Sequence, residues 1–190
     1  INGVEGVGLS PSPLTVATFT DADPNGTTSD YTATINWGDG SAPSTGTILA
    51  TGSSPNGTTF SVTGSHTYAE EGTYQTQVTI TDAGGSKTVA AGNAVIADAT
   101  LYPAATHPTI SATEGISFTT PVAMFVDNNP GAPASDFTAT IDWGDGTPRS
   151  TGTITSVGIF PLPGGGSVSV WSVTGSHNYI DPTVNNGMGH

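Results

Sequence analysis

The side chains best suited to chemistry in this sequence are oxygen donors. Residues 21–26, DADPNG, set Asp21, Asp23 and Asn25 at alternate positions and place Gly26 at a sharp turn. That is the first half of a Ca²⁺ loop, because a hard cation gathers several oxygen ligands. The second half fails: the twelfth position is Thr32, where a bidentate Glu belongs. Residues 127–131 repeat the pattern more weakly, with Asp127, Asn129 and Gly131. Ca²⁺ is the only cofactor suggested, and Asp82 or Glu5 would have to complete its site from another strand. The competing reading is a turn in which Asp and Asn side chains bond their own backbone.

Nucleophilic chemistry finds no comparable pattern. Ser65–His66 and Ser176–His177 are adjacent pairs, but neighbours on a strand point to opposite faces. Neither GxSxG nor HExxH occurs. The four histidines, His66, His107, His177 and His190, lack metal-ligand spacing. The expectation is a non-enzymatic chain. Asp39 and Asp145 lie in GDG, where Asp followed by Gly favours a tight hairpin. Asn25-Gly-Thr and Asn56-Gly-Thr match the N-glycosylation acceptor, making Asn25 and Asn56 candidate modification sites.

The elements that position these residues occur twice. DYTATINWGDG (30–40) returns as DFTATIDWGDG (136–146), and SVTGSHTY (61–68) returns as SVTGSHNY (172–179). GVEG (3–6) matches ATEG (112–115), and ATFTDADPN (17–25) matches AMFVDNNPG (123–131). The second copy carries extra residues in 155–170, read as a lengthened hairpin tip. The expected organisation is one repeat over 1–99, a Pro-containing linker over 100–109, and a second repeat over 110–190.

Within each copy the hydrophobic period is two. Tyr31, Ala33, Ile35 and Trp37 share one face, as do Phe137, Ala139, Ile141 and Trp143, with Thr between them. That alternation describes half-buried antiparallel strands. Trp37 and Trp143 are therefore expected in the core, and so is Trp171, which stands where copy 1 has Phe60. Turn signals recur and no helical period appears. The fold class is all-β: two tandem antiparallel β-sandwiches of about seven strands each.

Taken together, WGDG after an alternating strand, SHTY with AEEG, and TYQTQVTITDAGG resemble a polycystic-kidney-disease (PKD) type immunoglobulin-like repeat. The motifs also resemble the tandem repeats of very large bacterial surface proteins. The resemblance implies an extracellular, cell-surface module used for spacing, adhesion or fibre assembly. Tyr68 and Tyr179 resemble the corner tyrosine of such sandwiches.

Copy 2 departs from this pattern after Tyr179, where IDPTVNNGMGH contains nothing like TYQTQVTITD. The second sandwich is expected to lack its last strands. One reading makes the sequence an excerpt of a longer, processed chain, since it opens at Ile1. The other has a neighbouring subunit supply the strand, with INGVEGVGL as a candidate donor. The expected partner is thus the protein itself, as a homopolymer or through neighbouring repeats. Surface glycans are the alternative partner, for a carbohydrate-binding accessory module. With 2 Lys+Arg against 15 Asp+Glu and a net charge of −13, nucleic acid is excluded as a partner. No apolar run reaches the ~18 residues of a membrane span, so membrane insertion is not expected.

Overall fold

The computed structural model describes residues 1–106 and 108–180. His107, His190 and the rest of the tail 181–190 lie outside the described residues. The chain is all-β and divides into two compact units, Ile1–Ala99 and a second from Thr100 onward.

Unit 1 contains β1 (Asn2–Val4), β2 (Leu14–Asp21), β3 (Tyr31–Asn36), β4 (Ser44–Ser54), β5 (Gly57–Gly64), β6 (Gly72–Asp82) and β7 (Lys87–Ala97). They form one sheet in the order β1-β7-β6-β3-β4-β5-β2. The sheet curls because β4 serves two partners. Ser44–Gly46 pair with β3, whereas residues 47–54 pair with β5. The alternation of YTATIN sets the inner face of β3: Tyr31, Ala33 and Ile35 are buried and the threonines between them are exposed. Val78 and Ile80 of β6, with Ala94 and Ile96 of β7, extend the same buried face beside them in the sheet. Burying each Val or Ile contributes about 1.5–3 kcal/mol. Phe19, Tyr31 and Phe60 pack ring to ring at about 5 Å at one end of that core.

The segment INGVEGVGL does not stand free as a donor; unit 1 uses it. β1 pairs in parallel with Val95–Ala97 of β7. Val95 N donates to the Ile1 carbonyl at 2.9 Å and Glu5 N to the Ala97 carbonyl at 3.0 Å. Leu9 and Glu5 are each 4 % exposed. Within unit 1 the segment is therefore paired along one side and anchored by Leu9, while β1 remains an edge strand and Val4 and Val7 are exposed.

Unit 2 contains β8 (Leu101–Pro103), β9 (Phe118–Asp127), β10 (Thr140–Ile141), β11 (Ser150–Thr151), β12 (Thr153–Pro161) and β13 (Ser167–His177). A four-stranded sheet runs β12-β13-β9-β8, and β10 and β11 make a separate pair. The stretch read as a linker contains β8, which pairs antiparallel with Phe125–Asp127. The Ala104 N–H extends the contact to the Met124 carbonyl at 3.0 Å. Pro103 is tolerated because β8 is an edge strand. The extra residues of copy 2 do lengthen a hairpin, β12–β13, which turns at residues 162–166.

The register within each unit matches the repeat. Phe19 faces Phe60 across β2–β5, as Phe125 faces Trp171 across β9–β13. Among the described residues, unit 2 has no strand corresponding to β1, β6 or β7. Its equivalents of the β3 face are less covered. Ile35 and Trp37 are 0 % and 1 % exposed, against 9 % and 8 % for Ile141 and Trp143. Tyr31 and Ala33 are buried, whereas Phe137 and Ala139 are only half-buried.

Candidate functional site

The same four-residue cluster is built in each unit. After β3 the chain turns through Gly38-Asp39-Gly40, with both glycines at positive φ. Asn36 Oδ1 accepts from Gly38 N at 3.0 Å, and Asp39 Oδ1 accepts from Ser41 N at 3.1 Å. The other Asp39 oxygen meets His66 Nε2 at 2.7 Å. The His66 ring stacks on Trp37 at 4.8 Å and 5°, and stands edge-on to Tyr68 at 4.6 Å. Tyr68 then donates its hydroxyl to the Trp37 carbonyl at 3.0 Å, and Trp37 Nε1 donates to Ser44 Oγ at 2.9 Å.

Unit 2 repeats each contact. His177 Nε2 lies 2.8 Å from Asp145 and stacks on Trp143 at 4.6 Å and 6°. Tyr179 donates to the Trp143 carbonyl at 3.2 Å, and Trp143 Nε1 to Ser150 Oγ at 2.9 Å. The Thr147 hydroxyl, then His177, draw the Asp145 carboxyl down to about 2. Burial pushes Asp39 up, but the hydrogen bonds from Ser41 and His66 together outweigh it and hold the carboxyl below its ordinary value. Burial pushes the Tyr68 hydroxyl up to about 12. Each cluster pins a hairpin turn to a distant strand. The serine beside each histidine points elsewhere: Ser65 Oγ bonds Ser12 Oγ at 2.9 Å, and Ser176 Oγ bonds Thr119 Oγ1 at 2.7 Å.

The candidate Ca²⁺ oxygens are engaged locally. Asp21 Oδ1 accepts from Asp23 N and Asp23 Oδ1 from Asn25 N, both at 2.8 Å. The second Asp21 oxygen accepts the Tyr31 hydroxyl, which lowers the carboxyl from its ordinary value. In unit 2, Asp127 Oδ1 accepts from Asn129 N and Asn129 Oδ1 from Gly131 N, both at 2.9 Å. These are turns in which the side chain replaces a backbone acceptor. Among the described residues, the three acidic groups that approach one another are Glu5, Glu70 and Glu71. Glu5 is committed to structure there, accepting from Glu71 N at 2.8 Å and Ala99 N at 3.3 Å. Asn25 and Asn56 are exposed, Asn56 at the β4–β5 turn.

Where copy 2 was expected to lack its last strands, unit 2 has a groove of about 770 Å³, floored by Phe137, Ala139, Ile141 and Trp143 and walled by Phe125 and Val173. The available signal was the repeat itself, since the residues covering this face in copy 1 lie in TYQTQVTIT and its following strand. The groove runs beside β10, which among the described residues is hydrogen-bonded to β11 on one side only. Its chemistry is that of an apolar floor beside unpaired strand backbone.

No protein-family model matches the chain, and no curated protein is significantly similar to it.

Proposed function

We propose that the chain is a pair of tandem PKD-type, immunoglobulin-like β-sandwich repeats from a bacterial extracellular surface or fibre protein. Its work is structural and non-enzymatic, and it associates through strand edges. One observation carries this reading: an identical Trp–His–Asp–Tyr clamp is built twice in one chain, and among the described residues one of the two units leaves its equivalent of β3 unpaired on one side. The repeated clamp supplies a rigid unit, and the unpaired edge supplies a site for further strands. The −13 net charge fits a highly hydrated surface rather than a polyanion-binding one.

Sedimentation velocity over a wide concentration range tests the reading, alongside negative-stain microscopy of the same samples. Concentration-dependent association into ordered oligomers or filaments is expected. A strict monomer at every concentration would remove the assembly role. Saturable, specific retention on a glycan array would replace it with the accessory-module role.

A further inference from the structure

We propose that the outer face of unit 2's four-stranded sheet is an interaction surface, and that its partner is the same face of a second copy of this chain. The repeat supplies an internal standard for that face. Phe19, Phe60 and Ala50 stand opposite one another on the inner side of unit 1, with Phe60 wholly buried. Alternation then turns Thr18, Thr20 and Thr59 outward, and Thr18 and Thr20 are exposed. In unit 2, Phe125 and Trp171 take the inner side, with their rings stacked at 6.4 Å. The outward residues at the three matching positions are Met124, Val126 and Val170. Each of the three threonines is replaced by an apolar side chain.

Two more side chains join the same face. Tyr102 of β8 stands opposite Val126, and Val126 opposite Val170, so the three form one row across three strands. Phe160 comes from the lengthened hairpin: a Cβ built on Gly158, which stands opposite Val170, would lie 3.5 Å from its ring. Tyr102 and Phe160 are 49 % and 47 % exposed. Unit 1 also shows that the repeat does not cover this face with its own later strands. There β6 and β7 follow Tyr68 and extend the sheet from β3, leaving Thr18, Thr20 and Leu49 exposed.

A second copy fits this face by charge and by area. β8, β12 and β13 contain no Asp, Glu, Lys or Arg, and β9 contains only Asp127, which is buried. A chain of net charge −13 repels its own copies wherever acids meet, and this face brings none together. A two-fold contact sets the same patch on both sides, so an uncharged apolar face complements itself. Four strands about 4.8 Å apart and five or six residues long make a face of roughly 19 by 17 Å. Two such faces packed about 10 Å apart bury on the order of 1,000 Å², the lower bound for a specific interface. The dimer is therefore weak, with a dissociation constant in the tens of micromolar. The contact lies on a sheet face and is separate from the strand-edge association proposed above.

Sedimentation velocity and methionine methyl NMR on the full chain, across the micromolar-to-millimolar range, test the proposal. The Met124 methyl signal, assigned through Met124→Thr, should move with concentration along the same curve as the dimer. Met124→Thr, Val126→Thr and Val170→Thr together give unit 2 the threonines that unit 1 carries, and should weaken the dimer by more than about a hundredfold. Phe160→Ser alone, on the exposed hairpin, should weaken it by about tenfold, and serves if the triple variant fails to fold. A chain that stays monomeric throughout overturns the proposal. So does association that leaves the Met124 methyl unmoved, or that the substituted chains retain. A closed dimer lost on substitution supports the face and refutes open-ended strand-edge assembly. Assembly that persists undiminished in the substituted chains does the reverse.

Discussion

Replacing Gly38 and Gly144 by Ala, one at a time, isolates the presence of a strand from the demands of the turn. Both glycines are at positive φ, 84° and 78°, so both variants carry a similar left-handed penalty of about 1–2 kcal/mol. Only Gly38→Ala meets β6. Its Cβ would sit 2.3 Å from Gln75 O and 3.0 Å from Gln75 N, atoms of backbone that cannot rotate away. Restoring an ordinary C···O approach of about 3.3 Å moves β6 by about 1 Å. Losing half the burial of Val78 and Ile80 then adds about 1.5–3 kcal/mol. Unit 1 should lose about 3–5 kcal/mol in total, and unit 2 only the turn penalty. With a urea slope of roughly 2 kcal/mol/M, the midpoints fall by about 2 M and by under about 1 M respectively. Urea titration followed through backbone amide resonances assigned to each unit reads the two transitions separately. Equal shifts would refute the reasoning, because the cost would then come from the turn alone.

Two further outcomes follow from the clamp and the buried carboxylate. The folded Asp145 carboxyl lies at about 2, below an unfolded value of about 3.9. Its stabilisation is therefore complete above about pH 4 and is lost as the pH falls toward 2. Thermal unfolding of unit 2 should steepen over that window and flatten in Asp145→Asn, and an unchanged slope in the variant would contradict the assignment. Glu5→Gln leaves one of two backbone N–H donors, Glu71 or Ala99, without its carboxylate oxygen and should cost unit 1 about 1–3 kcal/mol. The matching Glu114 is exposed, so Glu114→Gln should stay within about 0.5 kcal/mol. Amide exchange at Glu71 and Ala99, with melting temperatures for both variants, checks the contrast, and equal losses would sink it.

Much of the strand framework was legible because its cause is local. Alternation in YTATIN dictates which side chains of β3 face inward, and the internal repeat carries that assignment across to Ile141 and Trp143. What could not be read depends on distant pairing. Nothing in INGV announces a parallel partner more than 90 residues away in β7, and LYP looks like linker because Pro hides an edge strand. The His66–Asp39 contact joins a hairpin turn to a residue just past β5, 27 residues apart in sequence, so spacing alone showed no constellation. DADPNG drew attention as a cation loop because oxygens at alternate positions suit Ca²⁺ and a self-bonded turn equally well. Only the coordinates show the carboxylates receiving Asp23 N and Asn25 N. The groove itself was legible from the repeat, because copy 2 carries nothing like TYQTQVTITD after Tyr179, but its lining residues were not.

The parallel pairing of β1 with β7 governs how unit 1 bears tension. Its first and last strands lie side by side and run in the same direction, so a pull applied at its two ends slides one along the other. The rungs from Ile1 to Val95, from Glu5 to Ala97 and from Ile1 N to the Asn93 carbonyl are then loaded in shear, all at once. An antiparallel closure would peel open one bond at a time. Resistance to force is set by the rate of unfolding rather than by equilibrium stability, and in this unit it is concentrated in the few residues at the N-terminus.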